Sequence, residues 1–196
     1  MSERRATVSR KTKETEVSLT LDLEGTGEVK CDVGIAFFEH MLGQLGFHGR
    51  FDLHALASGD ADVDYHHLVE DVGICLGQAL AQAAGDKKGI VRYGWAVVPF
   101  DEALVLAAVD LSGRPFCDVR LEFGADKVGD FDVEVVEDFF QAFAANGRLA
   151  LHVRELAGRN THHKVEAAFK AVGRALAAAV AFEEGREAVP STKGVL

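Results

Sequence analysis

The feature that most constrains the fold of this chain is a repeat of its own sequence. Residues 66–80 match residues 162–176: both begin His-His-x-Val-Glu and continue to Gly-x-Ala-Leu, 96 positions apart (162 minus 66). Two weaker echoes precede these segments in the same order, residues 14–25 with 102–113 and residues 37–39 with 139–141. Chance could produce one such match, but three in the same order indicate an internal duplication.

Each half carries the same predicted order of elements. Alternating apolar residues predict strands, and runs with helical spacing predict helices. The predicted strands are 16–23, 50–57, 104–111 and 148–156, and the predicted helices are 37–45, 65–84, 136–145 and 161–182. The glycine-containing segment 85–89 is expected to end the first long helix, and Gly185 the second.

These elements predict an α+β fold, an internally duplicated unit of strands and two helices, with the helices packed on one face of each sheet. The expected half-repeats are 1–88, with the His66-His67-x-x-Glu70 helix, and 89–196, with the His162-His163-x-x-Glu166 helix. A linker is expected near 85–94. We expect the two halves to form one compact domain overall.

The composition narrows the classes of function. The 196 residues contain no apolar run near the roughly 18 residues of a membrane span, and no secretory signal is expected at the charged N-terminus. The formal net charge of -10 argues against nucleic-acid binding, because phosphates need a basic face. Three isolated cysteines, Cys31, Cys75 and Cys117, fit a reducing compartment. We therefore expect a cytoplasmic protein with neither a membrane nor a nucleic acid as partner.

The repeated helix starts predict metal binding. Residues three and four apart share a helix face, so each His-His-x-x-Glu segment gathers two imidazoles and a carboxylate. Such donors suit manganese, iron or zinc. One copy alone would more simply be a polar helix start with a carboxylate near the positive end of the helix dipole. Two copies at equivalent positions are required neither by solubility nor by packing.

Two further histidines, His40 and His152, would complete two sites of three histidines and one glutamate each. Such sites would leave positions open for a substrate, as catalytic metal sites do. Taken singly, each of these histidines is more often a core or boundary residue.

Several motifs together resemble one family from end to end. They are Phe-Phe-Glu-His40-Met-Leu-Gly-Gln44, Asp-Tyr-His66-His67-Leu-Val-Glu70-Asp, Pro-Phe-Asp101-Glu-Ala-Leu, Asp-Leu-Ser-Gly-Arg114-Pro, Asn-Thr-His162-His163-Lys-Val-Glu166 and Pro-Ser191-Thr-Lys193-Gly. This set resembles imidazoleglycerol-phosphate dehydratase of histidine biosynthesis. The resemblance implies a carbon–oxygen lyase (a hydro-lyase) with a duplicated fold of the ribosomal protein S5 domain 2-like class.

For the cofactor, the resemblance implies two Mn²⁺ ions per active site. One ion would be held by His66, His152, His162 and Glu166, and the other by His40, His67, Glu70 and His163. The resemblance also implies a 24-subunit homo-oligomer with active sites at subunit interfaces, so that ligands can come from more than one chain.

The resemblance further assigns catalytic and substrate-binding roles. Glu14 is implied as an acid/base group and Asp101 as a weaker candidate for a supporting role in proton transfer. Without the resemblance, Glu14 would be a surface carboxylate at a strand edge. The substrate would be a small phosphorylated imidazole, bound by Gln44, His48, Arg92, Arg114, Lys170, Ser191 and Lys193. From the residues alone, each arginine would be a salt-bridged surface residue, and the Pro-Ser-Thr-Lys-Gly tail a flexible terminus.

The chemistry of such a substrate suggests a mechanism. The hydrogen to be lost lies on a carbon without a neighbouring carbonyl, so simple enolate chemistry is excluded. A metal pair that bridges both ring nitrogens would favour an imidazolate. The ring could then expel the adjacent hydroxyl to give a diazafulvene-like intermediate, and a base would remove the neighbouring hydrogen to give an enol that becomes the ketone.

Two residues depart from the family pattern. Glu39 stands where Asp is usual before His40, and Phe100 where Met is usual before Asp101. The first is expected to affect the support of His40 and the second an apolar contact, and neither is expected to change the reaction.

The alternative hypothesis is a non-catalytic metal-binding or metal-storage protein, which leaves the arginines and the terminal Ser-x-Lys unexplained. A di-iron oxidase would show Glu-x-x-His on four long helices. A structural assembly protein would have no need of clustered histidines.

Overall fold

The computed structural model describes residues 4–196. The first half contains β1 (Arg5–Lys11), β2 (Thr15–Asp22), β3 (Val29–Asp32), α1 (Ala36–Gly49), β4 (Asp52–Gly59) and α2 (His66–Ala84). The second half contains β5 (Tyr93–Phe100), β6 (Ala103–Asp110), β7 (Phe116–Arg120), a short hairpin of β8 (Lys127–Val128) and β9 (Phe131–Asp132), α3 (Val135–Gly147), β10 (Ala150–Ala157) and α4 (Thr161–Val180). Apart from the hairpin, the second half repeats the order of the first.

The two main sheets confirm the duplication. The first has the strand order β1-β2-β4-β3 and the second β5-β6-β10-β7. In each sheet the last pair is parallel, β3 with β4 and β7 with β10, and the other pairs are antiparallel. Because a parallel pair needs a crossover connection, α1 and α3 occupy equivalent positions between the paired strands.

The helices cover one face of each sheet, which confirms the predicted fold class. Along β2, Val17, Leu19 and Leu21 are buried, whereas Glu16 and Ser18 are exposed on the outer face. Helices α1 and α2 pack on the first sheet and α3 and α4 on the second, and the two layers meet through the pairs α2–α3 and α1–α4. Among the described helices, none has the length and apolar character needed to cross a membrane.

The two long helices end in different ways. Gly85 caps α2 with a positive φ of 56°, as predicted. The prediction for Gly185 was wrong, because α4 ends at Val180 and Ala181 is already extended, with φ -60° and ψ 145°. The chain leaves the helix there to pair with the segment before β5, where the Val91 N–H donates to the Ala181 carbonyl oxygen.

The Gly-x-Ala-Leu copies mark two close helix contacts. A Cβ on Gly77 would collide with the Phe143 carbonyl oxygen of α3, and a Cβ on Gly173 would collide with the Leu45 carbonyl oxygen of α1. Both glycines therefore allow the backbones of paired helices to touch. The repeat extends to packing as well as to sequence.

Gly173→Ala is expected to destabilise the protein by about 1–3 kcal/mol, because overpacking against a backbone atom forces the helices apart. Chemical denaturation measures this change. Gly43→Ala in α1 is the control: nothing outside its own helical turn lies within 4 Å of the added Cβ, and alanine favours a helix by about 1 kcal/mol over glycine. An unchanged unfolding midpoint for Gly173→Ala would contradict the interpretation of a close contact.

Candidate metal centre

Helices α1 and α4 bring together three side chains that can ligate a metal. The His40 Nε2 lies 3.1 Å and the His162 Nε2 2.9 Å from the same oxygen, Glu166 Oε2. All three ligand atoms lie within 4.8 Å of one another. His162 and Glu166 meet because they are one helical turn apart, and α1 supplies His40 because it packs along α4. We call these three residues the triad.

Asn160 fixes the start of the helix that carries two members of the triad. Its side-chain oxygen accepts the N–H of His163, the arrangement expected of an N-cap residue. The first turn of α4, which presents His162 and His163, is therefore held in a defined orientation.

Glu166 is the buried member of the triad, with 7% of its side chain exposed. The Lys170 Nζ lies 2.7 Å from its other carboxylate oxygen. Burial opposes ionisation of Glu166, but hydrogen bonds with Lys170, His162 and His40 outweigh it and lower the pKa of the Glu166 carboxyl. The carboxylate is therefore ionised at neutral pH. Two imidazole nitrogens and a carboxylate oxygen, without a thiolate, are a donor set that fits a divalent ion such as manganese.

Two carboxylates that the sequence analysis missed orient the second histidine of each pair. The Glu102 Oε2 lies 2.7 Å from His163 Nδ1, and the Asp60 Oδ2 lies 3.0 Å from His67 Nδ1. The bond with His163 is the main cause that lowers the pKa of Glu102 to about 2, and the bond with Asp60 is the main cause that raises the pKa of His67. A carboxylate on Nδ1 fixes the ring and leaves Nε2 available to a metal. The position of Glu102 beside Asp101 in a family motif was a usable signal, whereas Asp60 had none.

Glu102→Gln is expected to weaken Mn²⁺ binding about 10–100-fold, because an amide supports the basicity and orientation of the His163 ring less well than a carboxylate. In the parent protein the Asn160 N–H donates to a Glu102 carboxylate oxygen at 2.8 Å. Glutamine keeps an oxygen that can accept this hydrogen bond, so the start of α4 is preserved. Titration of the metal-free protein with Mn²⁺, followed by electron paramagnetic resonance of the free ion, measures the affinity. Glu24→Gln, which removes an exposed carboxylate elsewhere, is the control, and equal affinities for both variants would refute the role of Glu102.

Within residues 4–196, the other predicted ligands do not join the triad. The His66 Nδ1 lies 3.4 Å from the Asp138 carboxylate at the start of α3. His152 stands on β10 between Leu151 and Val153, which are buried, so its ring points to the outer face of the second sheet. Glu70 is half-buried on α2, and His67 and His163 are engaged by the carboxylates described above.

A row of packed aromatic rings lies between the two histidine pairs and separates them. The Tyr65 ring stacks on Phe131 at 6.5 Å between centroids, Phe131 packs on Phe37 at 5.2 Å, and Phe37 meets the His162 ring edge-on at 5.2 Å. Tyr65 directly precedes His66 in the sequence. The two helix starts therefore lie at opposite ends of this row, and one chain forms two separate histidine clusters.

The predicted substrate contacts also divide into two groups. Gln44, His48 and Lys170 lie on α1 and α4, on the side of the triad, and the Gln44 Nε2 is 3.5 Å from His40 Nδ1. Burial, together with the positive charges of Lys170 and Arg174, lowers the pKa of His48. His48 is therefore a neutral imidazole at neutral pH, which suits a hydrogen bond to a substrate better than an ion pair.

The second group lines a cavity of about 520 Å³ beside the C-terminal tail, formed in part by Arg92, Arg114, Ser191 and Lys193. Arg92 donates two hydrogen bonds to the Asp110 carboxylate, at 2.7 and 3.1 Å, and one to the Pro190 carbonyl oxygen at 2.9 Å. It thus ties the tail to the end of β6. Arg114 and Lys193 are exposed and form no salt bridge with another described residue, so both cations face this cavity available to an anion.

The comparison with known proteins decides the family. A family model described as imidazoleglycerol-phosphate dehydratase matches residues 33–176. The chain belongs to the imidazoleglycerol-phosphate dehydratase family. A relative of that name from Desulforamulus reducens is 53% identical over 196 residues, which is 100% of each chain. Another from Dinoroseobacter shibae is 54% identical over 194 residues, 98% of this chain and 100% of its own.

A solved structure agrees with this assignment. The crystal structure of imidazoleglycerol-phosphate dehydratase from Staphylococcus aureus matches with a TM-score of 0.83 and 37% identity, covering 91% of this chain and 99% of its own. The predictions of family, fold class and enzyme class are confirmed: this is a chain of a hydro-lyase family with the expected α+β architecture.

The first departure from the imidazoleglycerol-phosphate dehydratase pattern supports the start of α1. The Glu39 carboxylate accepts hydrogen bonds from the N–H groups of Val33 and Gly34, at 2.8 and 3.0 Å. It therefore acts on His40 through the backbone that precedes the helix, and the hydrogen-bond partners of the His40 ring among the described residues are Glu166 and Gln44.

The second departure lies against the candidate site. The Phe100 ring meets the His163 ring edge-on at 5.0 Å between centroids, and the Lys170 ammonium lies 3.8 Å from the Phe100 centroid. The apolar contact expected at this position is thus present, and the aromatic ring adds a cation–π interaction that a methionine would not provide.

Proposed function

We propose that this chain converts imidazoleglycerol phosphate to imidazoleacetol phosphate and water in cytoplasmic histidine biosynthesis, with two Mn²⁺ ions per active site. The observation that carries the proposal is the convergence of His40, His162 and Glu166 in a member of this family. The choice of substrate is supported by two relatives that are named for it and are 53% and 54% identical over 100% and 98% of this chain.

The residues that would hold the ions are the triad together with the remaining predicted ligands, His66, His67, Glu70, His152 and His163. When bound, the ions would supply Lewis acidity to the two ring nitrogens of the substrate. The triad combines His40 from one predicted ligand set with His162 and Glu166 from the other. Because one chain keeps its two histidine clusters apart, the two metal positions would be neighbours only where two copies of the chain meet.

Glu14 and Asp101 are the proposed groups for proton transfer. The Glu14 side chain is 59% exposed, and its carboxylate lies 3.9 Å from His67 Nδ1, so it is open to a substrate beside a predicted ligand. It would take the proton from the carbon next to the one that loses its hydroxyl. The Asp101 carboxylate lies 3.7 Å from His163 Nε2 and would support proton transfer at the other histidine pair.

The phosphate of the substrate would be bound in the tail cavity. Arg114 and Lys193 would supply positive charge and Ser191 a hydroxyl donor, and Arg92 would hold the tail through its bond to Pro190. Gln44, His48 and Lys170 would contact the substrate from α1 and α4.

In this proposal a complete site takes residues from more than one copy of the chain. His152 points away from α4, so it would share an ion with His162 only if these residues belong to different subunits. Trp95 and His152 both pair in register with Ala108 and so share its face of the sheet. On this face the β5 side chains are exposed and apolar: Tyr93 is 56%, Trp95 70% and Val97 40% exposed. Such a patch supports a homo-oligomer, proposed to have 24 subunits with active sites at the interfaces.

The proposal is tested by assaying dehydration of imidazoleglycerol phosphate before chelation, after chelation, and after Mn²⁺ is restored. We expect activity to disappear with the chelator and to return with manganese, because the bound ions would supply the Lewis acidity that the reaction needs. A folded, assembled and Mn²⁺-loaded protein without turnover would overturn the proposal. That result would favour the alternative, a metal-binding or metal-storage protein.

A further inference from the structure

Asp71 is a buried carboxylate to which the proposed metal site gives no role. It is 6% exposed and lies on α2, directly after Glu70. The Arg10 Nε of β1 lies 2.7 Å from its Oδ1, and the Thr15 hydroxyl of β2 donates a hydrogen bond to its Oδ2. A buried charge is tolerated when it is paired and hydrogen-bonded, and here both partners come from the sheet beneath the helix.

The same threonine closes the turn that carries Glu14. The N–H groups of Glu14 and Thr15 both donate to the Thr12 hydroxyl oxygen, at 3.0 and 2.9 Å, and the Thr12 N–H donates to the Thr15 carbonyl oxygen at 2.9 Å. The Thr12 and Thr15 hydroxyl oxygens also lie 3.1 Å apart, so the β1–β2 turn is closed on itself by hydrogen bonds. A buried bond joins the turn to α2: the hydroxyl of Thr15, which is only 4% exposed, donates to Asp71.

Asp71 and Glu14 meet the same end of α2. Asp71 is one helical turn after His67, and the Glu14 carboxylate lies 3.9 Å from the His67 ring. The position of Glu14 relative to this histidine therefore depends on how the turn is fixed to the helix.

We propose that Asp71, acting through Thr15 and Arg10, is a positioning residue that holds Glu14 against the histidine end of α2. This inference rests on the proposed function, in which Glu14 transfers a proton. A hydrogen bond to a charged carboxylate is stronger than one between neutral groups, so the tie resists displacement of the turn. Displacement of a catalytic group by about 1 Å can lower a rate by about 10²-fold.

Thr15→Val tests the inference because it removes the hydroxyl and keeps the branched shape, whereas loss of Asp71 itself could prevent folding. We expect kcat to fall by about 10–100-fold, with KM within about threefold of the starting value and Mn²⁺ content unchanged. Thr15→Ser keeps the hydroxyl and is expected to retain kcat within a few-fold. Thr20→Val is the matched control, since Thr20 lies on the same strand and its hydroxyl bonds with that of Thr7 at 2.9 Å on the exposed face.

A second measurement does not depend on catalysis. Hydrogen exchange of the peptide that contains the Glu14 and Thr15 amides is expected to be faster in Thr15→Val, and unchanged in Thr15→Ser and Thr20→Val. Unchanged exchange in Thr15→Val would overturn the inference. So would a fall in kcat that is accompanied by loss of bound Mn²⁺, or an equal fall in kcat in Thr15→Ser. If the parent protein has no turnover, the proposed function fails, and the exchange rates alone decide whether the Thr15 hydroxyl fixes the turn.

Discussion

Glu14→Gln is expected to lower kcat for dehydration by about 10²–10⁴-fold, the usual contribution of a general acid or base. Glutamine keeps the size of the side chain but cannot take up a proton at neutral pH. Because the Glu14 side chain is 59% exposed, the substitution is expected to leave the fold intact. Steady-state kinetics on protein of known Mn²⁺ content provides the measurement.

Glu16→Gln is the matched control for this variant. Glu16 lies two residues further along, is 62% exposed and pairs with Lys11 at 2.6 Å on the surface, and exposed ion pairs of this kind contribute about 0–1 kcal/mol. Its kcat is expected to equal that of the parent protein. Full activity of Glu14→Gln would exclude Glu14 as the proton-transfer group, and an equal loss in both variants would show an effect of net charge.

The long elements of the fold were predictable from sequence because their apolar residues repeat with a clear period. Strand β2 alternates between apolar and polar residues, β6 is an almost continuous apolar run that the internal repeat aligns with β2, and α2 and α4 carry both the helical period and the repeated motif. The predicted strands correspond to β2, β4, β6 and β10, and the pattern did not predict β1, β3, β5, β7 or the β8–β9 hairpin. Strand β3 has only four residues, too few for a period to emerge. The pattern also placed a linker where β5 begins, because Tyr93, Trp95 and Val97 make the outer face of that strand apolar and mask its alternation.

The candidate site was predictable only where it depends on local geometry. The pairing of His162 with Glu166 follows from their spacing on one helix. The contact of His40 with Glu166 joins residues 126 positions apart and depends on the packing of α1 against α4, which no local pattern encodes. Asp60 could not be assigned for the same reason, since it reaches His67 from beyond the end of β4. Glu102 was missed although it stands beside Asp101 in a family motif, because its contact with His163 joins residues 61 positions apart.

Loss of a residue that hydrogen-bonds to a metal ligand typically weakens metal binding roughly 10–100-fold. Glu166→Gln is expected to weaken Mn²⁺ binding by more than this, because it replaces a proposed ligand itself. The same change leaves the Lys170 ammonium, 13% exposed, without its partner carboxylate at 2.7 Å. Removal of one member of a buried ion pair typically costs about 3–5 kcal/mol, so the metal-free protein should also unfold more easily. Mn²⁺ titration and chemical denaturation of the metal-free protein measure the two effects separately.

The double variant Glu166→Gln, Lys170→Met separates ligand loss from destabilisation. Methionine replaces the buried charge with an apolar side chain beside the Phe100 ring, which lies 3.8 Å from the Lys170 ammonium, so stability of the metal-free protein is expected to recover. Mn²⁺ binding is expected to remain weak, because the carboxylate ligand is still absent. Recovery of metal affinity together with stability would mean that Glu166 maintains the helix pair and is not a ligand, whereas recovery of stability alone assigns its oxygen to the metal.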